Sequence, residues 1–462
     1  MRKEHVAALR QKIPVERVLA EVEERLVYAK DGTQRAEALP DVVVRALSVE
    51  EVESVLSIAG EAKIPVTPRG AGTGTTGGAI PLLGGIVLDL SGMKKIKEID
   101  EENLIAIVEP GVVTGEFQAA VETRGLFYPP DPASKDVCTL GGNAAECAGG
   151  PRAVKYGVTK DYVIGLEAVT PAFGRIRTGV RTAKGVVGYD LTKLLVGSEG
   201  TLGVITEIVL RLLPQPEASG TLMATFSDVE LASKVVSSII ASKVLPSKLE
   251  FLDRSAIGAA EDYLGIGLPV DSDAILLIEV DGPQESVPRQ LERIASLCRD
   301  GGAEKVVVAR NGEEAEDLWR ARHCLSTALV RLKPTKINED ITVPCSRLPE
   351  MIRRIREIGE RHHFLIANFG HAGDGNLHVN VLTDERNPEE FSRALEAVRE
   401  IMVATVEVGG TLSGEHGIGM TKSEYLRLEQ SEDLIELQRQ IKAVFDPHHI
   451  LNPGKIFWPP NP

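Results

Sequence analysis

Five glycines occupy the nine positions Gly70–Gly78, "GAGTGTTGG". No helix or strand interior accepts that density, because each glycine inside a regular element costs roughly 0.5–1 kcal/mol relative to alanine. The segment must therefore be a loop. It follows the apolar run "IPVTP" and leads into "AIPLLGGIVLDL", so it leaves one strand end and returns into another strand. Gly72, Gly74 and Gly77 formally satisfy GxGxxG. A Rossmann site, however, needs a helix opening directly at the glycines so that its N-terminus faces a pyrophosphate. Here a proline, two more glycines and a strand follow, which disfavours a nicotinamide-type dehydrogenase. What remains is a loop of bare backbone N–H groups that an anion can approach.

The surroundings of this loop set the organisation. From about Val42 to Pro214, runs such as "VVVRAL", "GIVLDL", "LIAIVEP", "VIGLEAVTP" and "LGVITEIVLRLLP" read as buried strands, with the helical "VEEVESVLSIAGEA" among them. "PQPEASG" has the composition of a linker. Beyond it, "TLMATF", "DVELASKVVSSIIASK" and "SKLEFLD" form one strand–helix–strand unit, and "AILLIEVDG", "ESVPRQLERIASLCRDG" and "EKVVVAR" form a second. Two such units predict a ferredoxin-like α+β layer with helices on one face of a sheet. The tail "LIELQRQIKAVFDPHHILNPGKIF" ends a helix at Asp446–Pro447 and continues extended.

Bulk properties narrow the function classes. A chain of 462 residues exceeds one hydrophobic core, so two or three domains are expected. The formal charge of -15 argues against a nucleic-acid surface, which needs a concentrated basic face. No run of signal-peptide or transmembrane length is present. Cys138, Cys147, Cys298, Cys324 and Cys345 are far apart and form no CxxC pair, which suggests free thiols in a cytoplasmic setting and no cysteine-ligated cluster on this chain.

Chemistry-bearing residues gather late in the chain. "GHAGDGNLHVN" (Gly370–Asn380) ends in an alternating strand, so His378 and Asn380 share a face while His371 sits on the preceding turn. "SGEHGIG" presents Glu415 and His416 on another glycine-rich turn. Alone, each is as readily a turn histidine, a strand histidine or a solvated acid. Together, two imidazoles and a carboxylate suit a catalytic Zn, Fe or Mn ion with open positions.

"PRGAGTGTTGGAIP", "PPDPAS", "TLGGNAAECAGG", "KYGVTKDYV" and "GSEGTLGVIT" together resemble the flavin-binding (PCMH-type) domain of the vanillyl-alcohol oxidase superfamily. With "GHAGDGNLH", "SGEHGIGMTK" and "FDPHHILNPGKIF", nearly the whole chain resembles FAD-dependent D-2-hydroxyacid dehydrogenases of the D-lactate dehydrogenase and glycolate oxidase branch. The resemblance implies an α+β chain with a PCMH-type FAD-binding domain at 1–216, a ferredoxin-like substrate (cap) domain at 217–415 and a segment at 416–462 returning to the FAD site. It implies that Arg69, Gly70, Ala71, Gly72, Thr73, Gly74, Gly77 and Gly78 hold the pyrophosphate of FAD. Pro132, Ala133, Ser134, Gly142, Asn143 and Gly149 would line the flavin and ribityl region, and Glu199, Gly203, Ile205 and Asn452 would complete the cradle. Members with covalent flavin often carry a histidine in the arginine–glycine loop, where this chain has Thr73. No histidine lies between positions 6 and 322, so noncovalent FAD is expected.

By the same resemblance His371, His378 and Glu415 bind the metal and His416 is the catalytic base; Asp374 is expected to brace the loop or one of the ligands. A neutral histidine suits abstraction of a hydroxyl proton. Arg322 would pair with the substrate carboxylate through its planar fork and take part in catalysis, with Lys336 and Asn380 in the same pocket. The expected substrate is a small D-2-hydroxy acid, D-lactate or glycolate, with D-2-hydroxyglutarate as an alternative. The expected electron acceptor is an electron-transfer flavoprotein, an iron–sulfur subunit or a quinone. A non-catalytic flavin relay is the competing class, and the histidine–glutamate set weighs against it because a relay needs no base.

Overall fold

The structure is a computed structural model, described here for residues 1–33 and 35–457. The strands Val42–Arg45, Ile86–Asp89 and Val66–Arg69 lie parallel, with the two-residue strand Val18–Leu19 antiparallel at one edge. Val42, Val44, Ile86 and Leu88 bury apolar side chains on one face, and Val43 and Val87 on the other, as parallel strands require. Helix Val49–Ala62 packs Val52, Val55, Leu56 and Ala59 against one face. Ser48 starts it by accepting the Glu51 N–H, and Lys63 ends it in the left-handed conformation. Between Arg69 and Ile86 there is no helix, so the glycine loop hangs from the strand as its context predicts.

A five-stranded antiparallel sheet follows, ordered Ile96–Asp100, Ile105–Val108, Val204–Arg211, Val163–Thr170, Gly174–Gly179. Its core holds Phe117, Tyr128 and Tyr162 in edge-to-face pairs. The C-terminal helix Glu432–Phe445 brings Phe445 into this same core. Leu451 then bridges Val66 in parallel, which carries the tail back to the first sheet.

Beside a two-stranded pairing of Leu126–Phe127 with Leu213–Pro214, a further sheet has seven antiparallel strands, ordered Lys305–Val308, Ala218–Phe226, Ala274–Gly282, Lys248–Asp253, Ile366–Gly370, Asn376–Thr383, Thr335–Thr342. The first four run in the order fourth, first, third, second, the ferredoxin-like arrangement, and three more strands extend it. Helices Val229–Ala241, Val287–Asp300, Leu348–His362 and Pro388–Glu407 share one core with one face. The expectation of helices on one face alone is incomplete. Leu252, Ile275, Leu277, Phe369 and Leu382 point the other way, and helices Arg254–Leu264, Gly312–His323 and Leu325–Leu329 cover them. Strands apolar on both sides need both faces covered, which the alternating pattern alone does not reveal.

Candidate active site

One cavity of about 1210 Å³ runs between the glycine loops and the seven-stranded sheet. That exceeds the roughly 300–1,000 Å³ of a pocket for a drug-sized ligand. Arg69, Gly70, Ala71, Gly72, Thr73, Gly74 and Gly78 line one part, and Pro132, Ala133, Ser134, Gly142, Asn143 and Gly149 continue it. Glu199, Gly203, Ile205 and Asn452 line it too. Asn143 contributes little with its amide, which is spent on the Thr114 hydroxyl at 2.7 Å. Gly77 does not line the cavity. Its φ is +80°, and a Cβ there would meet the Met420 side chain at 2.5 Å, so it serves the turn and its packing. At Gly74 a Cβ would enter open space. Around the cavity, Thr75 Oγ1, Glu146 Oε2, Asn338 Oδ1 and Asn452 Oδ1 are buried without a hydrogen-bond partner among the described residues. Buried polar atoms without partners are costly, so a polar ligand has reason to sit here.

His371, His378, Glu415 and His416 line the same cavity. The turn Gly370–Gly375 is forced: Gly370 and Gly375 have φ of +156° and +84°, and Asp374 accepts the Asn376 N–H at 3.1 Å. It places His371 Nε2 3.2 Å from Glu415 Oε1 and 3.4 Å from His378 Nε2, with His378 Nε2 3.5 Å from Glu415 Oε1. Three ligand atoms about 2.0–2.1 Å from one tetrahedral ion would stand about 3.3 Å apart, so this triangle has the size a metal needs. A second triple, Asp340, His378 and His416, overlaps it. It is the poorer choice: Asp340 is fully buried and Oδ2 already accepts the N–H groups of Gly414, Glu415 and His416 and the Ser413 hydroxyl.

Two buried acids missed in the sequence hold this constellation. Glu250 Oε1 takes His371 Nδ1 at 2.6 Å, while Oε2 takes Arg322 Nε at 2.6 Å. The first contact fixes the proton on Nδ1 and turns Nε2 toward the triangle. Burial opposes charge on His371, but Glu250 and Glu415 outweigh it and hold the imidazole well above the usual histidine range. For His378, burial and then the neighbouring His371 push the value well below that range. The triangle thus attracts positive charge, a proton or a metal ion. Asp340, by the bonds above, shapes the turn that carries Glu415 and His416. Two adjacent acids inside the strand "INEDITVP" were the signal available for it, whereas Glu250 in "SKLEFLD" had none.

The His416 ring stacks on His378, centroids 5.3 Å apart and planes 19° from parallel. Its Nδ1 is 4.0 Å from Asp340 Oδ2 and its Nε2 is 3.9 Å from Glu415 Oε1. Arg322 and Lys336 both face the cavity. Arg322 lies over the Phe369 ring at 4.7 Å and bonds Glu250 through Nε. Lys336 donates to Ser326 Oγ at 3.0 Å, and burial pushes its pKa down to about 8. Asn380 corrects the expectation of a cavity position. It is fully buried, its amide donates to the carbonyls of Ala367 and His378, and Leu382 two residues on lies in the core with helix Leu325–Leu329. Its cross-strand partner Asn338 lines the cavity instead.

Residues 40–179 match the FAD binding domain family, and residues 215–456 match the FAD linked oxidases, C-terminal domain. The chain is 48% identical over 433 residues to glycolate oxidase subunit GlcD of Bacillus subtilis, covering 94% of this chain and 92% of that protein. It is 35% identical over 445 residues to D-lactate dehydrogenase of Anaerostipes hadrus, covering 94% and 92%. Among solved structures, p-cresol methylhydroxylase with substrate bound superposes with a TM-score of 0.82 at 20% identity, covering 98% of this chain and 96% of that one, a likeness of fold. No helix among the described residues is long and apolar enough to cross a membrane. Cavity, glycine loops and relatives agree that the chain belongs to the FAD-linked oxidases, built on the PCMH-type flavin fold.

Proposed function

We propose that this chain oxidises a small D-2-hydroxy acid, D-lactate or glycolate, to the 2-oxo acid. The single observation that carries the reading is the convergence of His371, His378, Glu415 and His416 on the cavity that the flavin loops line. FAD fits that cavity by its size, its bare glycine backbone and its orphaned polar atoms. Noncovalent binding is favoured because all nine histidines lie outside residues 6–322, and Thr73 stands in the loop. When bound, FAD supplies the hydride acceptor, and a divalent Zn, Fe or Mn ion held by His371, His378 and Glu415 supplies a Lewis acid.

The chain's own residues do the rest. Asp340 faces His416 Nδ1, which favours the proton there and leaves the Nε2 lone pair for the substrate hydroxyl proton. Arg322 engages Glu250 through Nε, so its Nη groups are the ones free for a carboxylate. Lys336 has a hydroxyl as its hydrogen-bond partner, and an anion arriving beside it gains a charge partner. Two cations on one pocket also favour a second reading, a dicarboxylate such as D-2-hydroxyglutarate, and a D-2-hydroxyglutarate dehydrogenase of Stutzerimonas stutzeri is 32% identical. Electrons then pass to a protein acceptor, an electron-transfer flavoprotein or an iron–sulfur subunit, or to a quinone. The five cysteines here are all unpaired, and no candidate ligand group among the described residues contains one.

The test is anaerobic bleaching of the flavin by D-lactate, glycolate and D-2-hydroxyglutarate in turn. Bleaching by one or two identifies the substrate; no bleaching with any 2-hydroxy acid refutes the reading. A chelator should stop turnover while the flavin absorbance stays in place. Unchanged turnover in metal-stripped protein would remove the Lewis acid.

A further inference from the structure

The His416 ring makes no side-chain hydrogen bond among the described residues, and its Nδ1 is buried without a partner. Apart from its stack on His378, its aim is set by the backbone turn that carries it. Asp340 grips the near side of that turn through the N–H groups of Gly414, Glu415 and His416. The far side is gripped from the other half of the molecule. Glu199 Oε1 accepts the Ile418 N–H and Oε2 the Gly419 N–H, both at 2.7 Å.

Glu199 is itself held in a conformation that few side chains adopt, with φ of +52°. Its backbone carbonyl accepts from Asn452, whose amide also donates to the Gly78 carbonyl at 2.9 Å. Gly417 and Gly419 have φ of +79° and +52°, which turns successive N–H groups toward one carboxylate. A Cβ at Gly417 would meet Glu199 Oε1 at 2.9 Å, so the approach is as close as glycine permits. Thr76 adds a third point, its hydroxyl donating to the His416 carbonyl at 3.1 Å.

We propose that Glu199 is a positioning residue for His416: anchored between the flavin-side loops, its carboxylate fixes the turn that aims the ring at substrate. This rests on the reading of His416 as the base, and it gives Glu199 a task beyond lining the cofactor cavity. A ring with no hydrogen bond of its own moves with its turn, and a misplacement near 1 Å costs about 10²-fold in rate. Glutamine keeps the shape but offers one acceptor and one amide to two N–H groups.

In the holoenzyme, Glu199→Gln should lower the limiting rate of anaerobic flavin reduction by about 10- to 100-fold. The apparent substrate dissociation constant should change little, with rates compared per bound FAD. In His416→Asn, whose slow residual reduction can be followed over hours, Glu199→Gln should cost nothing further, because it acts through the ring. An equal loss in both backgrounds overturns the proposal while leaving His416 as base. Near-normal reduction by His416→Asn alone overturns the base instead. Hydrogen exchange of wild-type holoenzyme gives a readout that needs neither turnover nor a variant: the Ile418 and Gly419 amides should exchange slowly although they lie in a loop. Fast exchange at both would also overturn the proposal.

Discussion

Gly149 approaches Glu415 so closely that a Cβ on it would meet Glu415 Oε2 at 2.7 Å and Glu415 Cβ at 3.3 Å. The flavin-side loop and the proposed metal ligand are thus fitted to each other with no room for a methyl group. Gly149→Ala should push the carboxylate away from His371 and His378. Metal affinity should fall about 10–100-fold, the scale seen when a ligand's support is disturbed. Metal content after dialysis, measured against bound FAD, checks this. Full metal occupancy beside wild-type turnover would show that Glu415 tolerates the shift.

Glu250 joins the substrate end of the site to the metal end. In Glu250→Gln, one side chain of equal shape would lose its charge to both Arg322 and His371. Removing one partner of a buried ion pair leaves the other unpaired, typically at about 3–5 kcal/mol. The variant should melt lower, hold metal less tightly and show a raised KM, because Arg322 is no longer braced. A change in kcat alone, with KM and metal content intact, would contradict the bridging role.

Lys336 gives the site a pH dependence of its own. Burial lowers its pKa to about 8. As pH rises through that value the ammonium loses its proton, and with it the attraction for a carboxylate. Substrate affinity should therefore be full below about pH 7 and decline across pH 8 to 9. Lys336→Met should bind substrate about tenfold more weakly, as the loss of one charge-assisted bond of about 1.5 kcal/mol implies. Its affinity should be flat across the same window. Apparent dissociation constants from anaerobic flavin bleaching measure both, and a wild-type profile without this decline would exclude Lys336 from substrate.

What the sequence made legible follows from how far each signal reaches. The glycine loop could be read because five glycines in nine residues admit few local structures. The pair His371 and His378 could be paired because a seven-residue spacing spans one turn and a strand start. Glu250, by contrast, reaches His371 from 121 residues away, and inside "SKLEFLD" it has the look of any charged residue on a strand. Asn380 failed for a complementary reason. Alternation assigns the face of a strand but not where along it the cavity ends, and helix packing closes that face before Asn380 is reached.

Asp340 ties the stability of the fold to pH. Burial alone would raise its pKa, but His416, Lys422 and His378 together with the backbone N–H of Glu415 outweigh it and hold the carboxyl well below its ordinary 3.8. A carboxylate with a depressed folded value stabilises the fold above its unfolded pKa and ceases to as pH falls through the folded one. Wild-type melting temperature should therefore drop as pH is lowered below about 4. Asp340→Asn removes the charge that gathers three backbone N–H groups and leaves Lys422 buried beside a neutral amide, 3.7 Å from where the carboxylate stood. The variant should melt well below wild type at pH 7, and the gap should narrow on acidification as wild type loses the same charge. Its flavin reduction should also slow, because the turn bearing Glu415 and His416 is no longer drawn to the sheet. Melting curves from pH 7 to 3 decide it: a gap that stays constant across that range would mean that Asp340 acts by shape and not by charge.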